Sequence, residues 1–320
     1  MLVLSRAEVE SLIDLDRLRE AVAGAMADLS AGRVSMPSRI AAMVPERDAL
    51  LAAMPAYLPS SGALATKLVS LFPRNTDRPT HQAVIVVFDA ENGSPVALMD
   101  GEAITAARTA AGSALATDLL ARKDPYRLVV IGTGVQARAH LRAVSRVRKF
   151  GSICVAGRDV EKAQALAKEL GAGAYVDIQQ AVREADVVCA CTHSTEPVVR
   201  REWLKPGAHV NSVGYNTAGR EVDGATFRDA LVVVESRAAT LAAPPAGSND
   251  IAMAIAEGAM TREHVHAELG ELVSGARPGR KDASQITLYK SVGVAVQDAA
   301  AAAMVLDAAR KAGVGRTIDL

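Results

Sequence analysis

The chain has 320 residues, half of them hydrophobic, with 36 Lys+Arg against 36 Asp+Glu and a formal net charge of zero. That length allows about two domains of ~150 residues, each with a buried core. The charge balance argues against a nucleic-acid partner, which calls for a basic excess, and the apolar content argues against a disordered acidic chain.

No apolar run approaches the ~20 residues that a bilayer span needs. Met1-Leu2-Val3-Leu4 runs straight into Ser5-Arg6-Ala7-Glu8 rather than a long apolar stretch, so no signal peptide is expected. Cys154, Cys189 and Cys191 are too few, and odd in number, for a disulfide framework. The expectation is a soluble cytoplasmic protein with no membrane partner.

In chain order, Ser5-x-x-Glu8 is a capping box, and Asp14 or Asp16 can cap a helix running to Gly32. Strand-like runs follow at 39–44, 50–58, 64–72 and 83–88. Asn92-Gly93, between the runs 84–88 and 96–99, is a strong hairpin signal. Lys67 is the one charge in its run, so its ammonium must snorkel, pair or lose its proton; an edge-strand lysine reaching water is the plainer alternative. An Ala-rich helix is predicted over 102–122, started by Asp100. Ile104, Ala107, Ala111, Leu115 and Leu119 make its apolar stripe. Thr105, Arg108, Thr109 and Gly112 make a neighbouring face able to admit an anion, or simply a solvated one. Lys123-Asp124-Pro125 then breaks the chain at a plausible domain boundary.

From Tyr126 the pattern alternates between strands and helices. Strands are predicted at 127–131, 152–156, 174–176, 186–192, 209–213 and 231–235, with helices at 136–148 and 160–170 between the first of them. This spacing implies a parallel, doubly wound sheet of the dinucleotide-binding kind. A last helix, 292–311, suits packing back on the N-terminal part. The first strand runs into Gly132-Thr133-Gly134-Val135-Gln136-Ala137. Gly132 permits the tight turn, Gly134 the approach of a pyrophosphate and Ala137 close helix–strand packing. The N–H groups around Val135 and Gln136 then receive the phosphates. At the end of the second strand, Gly157 stands where an acidic residue would hold the ribose of NAD, and Arg158 can pair with a 2′-phosphate. NADP is therefore favoured, while Asp159, one residue on, keeps NAD open. Thr192 stands at the carboxyl end of the strand carrying Cys189, where ligands approach such sheets. Cys189-x-Cys191 reads as a buried strand pair. His264-x-His266 reads as a solvated helix pair, with no cysteine nearby to give zinc spacing, so no metal site is expected.

The segments 67–73, 105–111, 132–137, 205–214, 268–272 and 286–293 resemble the ornithine cyclodeaminase/mu-crystallin family, in order and over almost the whole chain. The resemblance implies a homodimer, with a cleft between two domains that binds an amino or imino acid beside the nicotinamide. It implies that Arg39, Lys67 and Arg108 hold the substrate carboxylate, that Thr109 touches the cofactor phosphates and that Ser291 lies near the nicotinamide. Two acids that cyclodeaminases carry are replaced, by Asn216 after the fifth strand and by Ala52 before Met54-Pro55. An amide cannot accept a proton at neutral pH.

The expected architecture is α/β: a Rossmann domain, 123–293, plus a smaller discontinuous α+β substrate and dimerisation domain, 1–122 with 294–320. The expected function is an NAD(P)H-dependent imino-acid (ketimine) reductase or L-amino-acid dehydrogenase, with Lys67 orienting or donating the proton and Asn216 bonding the substrate nitrogen or the nicotinamide amide. An NAD-dependent ornithine cyclodeaminase and a non-catalytic binding protein for NADP and a small ligand are the alternatives.

Overall fold

Local chemistry starts the chain as the spacing predicts. Ser5 caps the helix Arg6–Leu12 in a reciprocal box with Glu8, and Asp14 caps the helix Leu15–Ser30. The computed structural model describes residues 1–216 and 218–319; Thr217 and Leu320 lie outside them. Packing divides the chain into two compact units, Met1–Arg108 with Gly293–Leu320, and Thr109–Val292.

The first unit contains β1 (Leu2–Leu4), β2 (Ile40–Val44), β3 (Ala49–Leu58), β4 (Ala63–Leu71), β5 (His81–Phe88) and β6 (Pro95–Asp100). The Ala-rich helix, Gly101–Leu120, then leads into the second unit. There lie β7 (Arg127–Ile131), β8 (Ser152–Ala156), β9 (Gly173–Tyr175), β10 (Val187–Ala190), β11 (His209–Ser212), β12 (Leu231–Val234), β13 (Val265–Glu268) and β14 (Thr287–Lys290). The chain returns to the first unit through the last helix, Ala295–Ala312, and the short β15 (Arg316–Thr317).

In the first unit the strands form one mixed sheet in the order β15-β1-β6-β5-β4-β3-β2, with only β1 and β6 parallel. The Asn92-Gly93 turn joins β5 and β6 as expected, Gly93 taking the positive φ that the turn needs. Register sorts the side chains by face, because cross-strand partners share a face and neighbours along a strand alternate. Met54, Lys67, Ile85 and Met99 form a buried row on the face covered by the last helix. Ile40, Ala53, Leu68 and Val84 form a row on the other face. Lys67 is thus in the middle of the sheet, and the edge-strand alternative fails.

The second unit is an all-parallel sheet in the order β13-β12-β14-β11-β10-β7-β8-β9. The chain runs outward from β7 to β9 and then returns to β7's other side with β10, so the β7/β10 junction is the switch point where such sheets bind ligands. Val129, Ile131, Val188, Val210 and Val232 face one core; Leu128, Val130, Val155 and Cys189 face the other. The sheet has eight strands among the described residues, where six were expected. The two additions are β13 and β14, and His266 lies in β13 rather than on a helix.

The division between the units falls inside the Ala-rich helix, not at Lys123-Asp124-Pro125. Up to Arg108 the helix side chains bond within the first unit; Ala110 and Ala114 pack in the second unit's core. Arg108 and Thr109 are both buried, so the alternative of a solvated face fails for these two residues. No helix among the described residues is long and apolar enough to cross a membrane.

Candidate active site

The first unit assembles a buried cationic cluster. Lys67 on β4 is 3% exposed and Arg108 on the Ala-rich helix 4%. Both lean on one carboxylate: Lys67 Nζ lies 2.8 Å from Asp298 Oδ2, and Arg108 Nε donates to Asp298 Oδ1 at 2.9 Å. Arg108 Nη1 also donates to Gln297 Oε1 at 3.1 Å. Arg39, just ahead of β2, donates through Nη2 to the carbonyl of Gly293 at 2.7 Å. A single turn of chain, 293–298, therefore touches Arg39 and Arg108 directly and holds Lys67 through Asp298. Gly293 has a φ of +73°, and a Cβ there would stand 2.8 Å from Arg108 Nη2, so only glycine fits.

Electrostatics follow from this packing. Burial pushes the Lys67 ammonium down to about 8, with Arg108 and Arg39 pushing the same way and Asp298 opposing. Burial works to raise Asp298, but Arg108 and Lys67 outweigh it and hold the carboxyl below its ordinary range. His81, at the start of β5, is lowered to about 4 by burial and then by Lys67 and Arg108, so it is neutral at pH 7. Ala52 is buried on the same face of the sheet as Met54 and Lys67. An acid at that position would have faced the clamp side.

The second unit carries the nucleotide half. Gly132 takes φ +123°, and a Cβ on it would lie 2.5 Å from the carbonyl oxygen of Cys191, at the end of β10. Gly134 caps the helix Val135–Val144 with no side chain on its first N–H groups and open space where a Cβ would stand. Ala137 is fully buried against the sheet. Val135 is exposed at the first turn, and Gln136 Oε1 is buried without a partner among the described residues. An uncapped helix start and a small-residue turn at the switch point fit a dinucleotide pyrophosphate. Gly157 is buried beside Thr133, and Arg158 is exposed. Asp159 caps the helix Val160–Glu169, accepting from the Lys162 N–H at 3.0 Å.

Several expected contact residues are instead tied to buried carboxylates. Thr192 donates through its N–H (2.6 Å) and hydroxyl (2.7 Å) to Glu221 Oε1. Glu221 Oε2 accepts from Ser212 Oγ at 2.9 Å and Gly214 N–H at 2.7 Å. Lys290 Nζ, equally buried, donates to Ser212 Oγ and to the Gly214 carbonyl and pairs with Asp250 at 3.1 Å. Ser291 Oγ donates to Glu235 Oε1 at 2.8 Å. Asn216 Nδ2 donates to the His193 carbonyl at 3.0 Å, while its Oδ1 accepts from Ala218 N–H at 2.8 Å. This amide, expected at the substrate nitrogen or the nicotinamide amide, joins two loops of its own unit. Asp298, Glu221, Glu235 and Asp250 were not anticipated. Asp298, Glu235 and Asp250 are acids in or beside apolar stretches, the same kind of signal that singled out Lys67, whereas Glu221, between Arg220 and Val222-Asp223, gives none.

The ornithine cyclodeaminase/mu-crystallin family model matches residues 1–313. The chain belongs to this family. It is 39% identical to the ketimine reductase mu-crystallin of Mus musculus over 281 residues, 86% of each chain. The structure of Δ1-pyrroline-2-carboxylate reductase from Thermococcus litoralis, in complex with NADH and L-proline, is 38% identical and covers 99% of this chain and 100% of its own, with a TM-score of 0.94. An archaeal alanine dehydrogenase dimer with bound NAD is 32% identical and covers 100% of this chain and 99% of its own, with a TM-score of 0.92.

Proposed function

We propose that this family member is a cytoplasmic NAD(P)H-dependent imino-acid reductase that acts on a small 2-imino carboxylate, cyclic or linear. One observation carries the reading: Lys67 and Arg108 are buried on a single carboxylate with Arg39 on the same turn of chain. Positive charge in excess of its counter-charge, out of water, is costly unless an anion joins it. A substrate carboxylate is that anion. The relatives' ligands and substrates, L-proline and ketimines among them, carry a carbon–nitrogen bond at the reacting centre.

The nicotinamide cofactor, when bound, supplies the hydride. Lys67 and the two guanidiniums fix the carboxylate, which orients the neighbouring carbon–nitrogen bond; such positioning accounts for much of a hydride-transfer rate. Lys67 holds a proton at Nζ within the same cluster, and protonated imines are the better hydride acceptors. Gly132, Gly134, Val135 and Gln136 bind the pyrophosphate, with Thr109 contributing. Ser291, set by Glu235, and Thr192, set by Glu221, border the nicotinamide end. Arg158 selects NADP over NAD. With Ala52 and Asn216 in place of two acids, the residues favour net reduction over cyclodeamination. The three free cysteines accord with a reducing compartment.

A homodimer is part of the proposal. Ile40 (70% exposed), Leu51 (49%) and Val84 (41%) share the sheet face opposite Lys67, an apolar surface suited to a second copy, and the alanine dehydrogenase neighbour is a dimer.

The test supplies NADH or NADPH with pyrroline-2-carboxylate, piperideine-2-carboxylate, iminosuccinate, or pyruvate plus an amine, and follows oxidation of the cofactor. Turnover of an imino acid is expected, and Lys67→Ala should lower kcat/KM at least ~100-fold, the scale of losing a buried charged partner, with cofactor affinity nearly unchanged. Ammonia release from ornithine without net cofactor consumption, and no imino-acid turnover, overturns the reductase reading. A Lys67→Ala enzyme as active as wild type overturns the clamp.

A further inference from the structure

We propose that Asp298 is the positioning residue of this site: its carboxylate fixes Lys67 and Arg108 and keeps the Lys67 ammonium protonated for delivery to the substrate nitrogen. The inference rests on the clamp reading and adds what sets its charge. Asp298 is 1% exposed, with Lys67 Nζ at 2.8 Å on one oxygen and Arg108 Nε at 2.9 Å on the other. It is a lone acid in the Ala-rich first half of the last helix, Val296-Gln297-Asp298-Ala299-Ala300, where an ionised group survives burial only by pairing.

Each element packed against Lys67 supplies a neighbour. The last helix gives Asp298, the Ala-rich helix gives Arg108, the segment before β2 gives Arg39 and β5 gives His81; the flanking strand positions are apolar, Met54 and Ile85. Burial and both guanidiniums favour neutral Lys67, and His81 is uncharged at pH 7. Asp298 alone among these groups opposes them. With it, the ammonium persists at neutral pH but is poised to release a proton, its pKa drawn down to about 8.

The chemistry suits one ammonium in two tasks. In a 2-imino carboxylate, the nitrogen and the nearest carboxylate oxygen are separated by two carbons, so three N–H donors on one nitrogen can serve both. The C=N π bond breaks as the carbon accepts a hydride supplied by the reduced nicotinamide, which is oxidised. The nitrogen takes a proton from Nζ, either before or with that transfer. Lys67 is left as a neutral amine and regains its proton from water.

The experiment is the pH profile of kcat/KM on the best imino-acid substrate of the panel, for wild type, Asp298→Asn, Asp298→Glu and Lys67→Arg. Wild type should lose activity as pH rises through about 8. Removing the carboxylate lowers the Lys67 pKa further, so the alkaline limb of Asp298→Asn should move to lower pH by about one to two units. Asp298→Glu restores the charge and should return the limb to within about half a unit, and Lys67→Arg, which stays protonated, should abolish it. An Asp298→Asn enzyme that is slower but has an unmoved limb overturns the proposal and makes Asp298 a merely structural ion pair. If Asp298→Asn does not fold, Asp298→Glu decides alone: its limb should stay while the displaced cations raise KM about fivefold or more, and an unchanged KM overturns it. A wild-type-like Lys67→Ala is a separate failure, that of the clamp itself.

Discussion

The carboxylate of Asp159 accepts the Lys162 N–H at 3.0 Å and pairs with Lys162 Nζ at 3.1 Å, so it is engaged in capping its own helix. A ribose hydroxyl would have to compete with that cap. Arg158, its neighbour, is exposed, and Gly157 contributes no side chain of its own. On the proposed reading, the same two-residue step occupies the acid that would read NAD and leaves Arg158 as the cation to read a 2′-phosphate. Arg158→Ala should raise KM for NADPH about tenfold or more, the worth of a charge-assisted phosphate contact, and leave KM for NADH within about twofold. Steady-state kinetics with both cofactors checks this; equal losses on the two would show that Arg158 does not select the cofactor. His81 illustrates the reverse case, a group whose environment removes it from consideration. Its pKa near 4 leaves it neutral through the working range, so an acidic limb above pH 5 must arise elsewhere.

Elements of strong period or strong punctuation were legible before any coordinates. β7 and β8 lie at the predicted limits because short Val- and Ile-rich runs end in glycine, and the helix starts are written in Ser5, Asp14 and Gly134. β13 and β14 escape the sequence reading because four-residue strands bearing His266, Glu268, Thr287 and Lys290 do not look apolar; Lys290 and Glu268 find distant partners in Asp250 and the Arg237 N–H. The clamp was half legible for a related reason. Lys67 and Asp298 each stand out as a lone charge in an apolar run, but only the packing of the last helix on β4 shows that they pair. The loops after β10 and β11 depend on Glu221, which receives four donors, from Thr192, Ser212 and Gly214. Burial raises its pKa despite Lys290 nearby. A glutamine there can accept on one atom only, and its amide hydrogens would oppose the donors on the other side. Glu221→Gln should cost about 2–4 kcal/mol in chemical denaturation and raise KM for the cofactor more than it lowers kcat. A variant of wild-type stability would remove Glu221 from the loop architecture.

The two halves of the clamp lie far apart in the chain, Arg108 and Asp298 being separated by 190 positions, with the whole parallel-sheet unit inserted between them. Closing the cluster thus requires the returning last helix, and the first unit is complete only when both chain ends have packed on one sheet. That sheet then has two different faces. Alternation along β4 sends Lys67 to the face beneath the last helix and Leu68 to the other, so the strand that supplies the clamp also supplies the centre of the apolar row Ile40, Ala53, Leu68, Val84. On the proposed homodimer reading, this partly open row is the apolar centre of the interface between two copies. Substituting Ile40→Lys and Val84→Lys together places two ammonium groups in that centre while leaving the Lys67 face untouched. Each uncompensated charge costs about 2–3 kcal/mol on burial, so the pair should weaken self-association by a factor of ~1,000 or more. Sedimentation equilibrium at micromolar concentration should then show a monomer where the parent chain is a dimer, with the far-ultraviolet circular dichroism unchanged. A doubly substituted chain that remains dimeric would mean that the second copy binds elsewhere, and a parent chain that is monomeric would remove the dimer altogether.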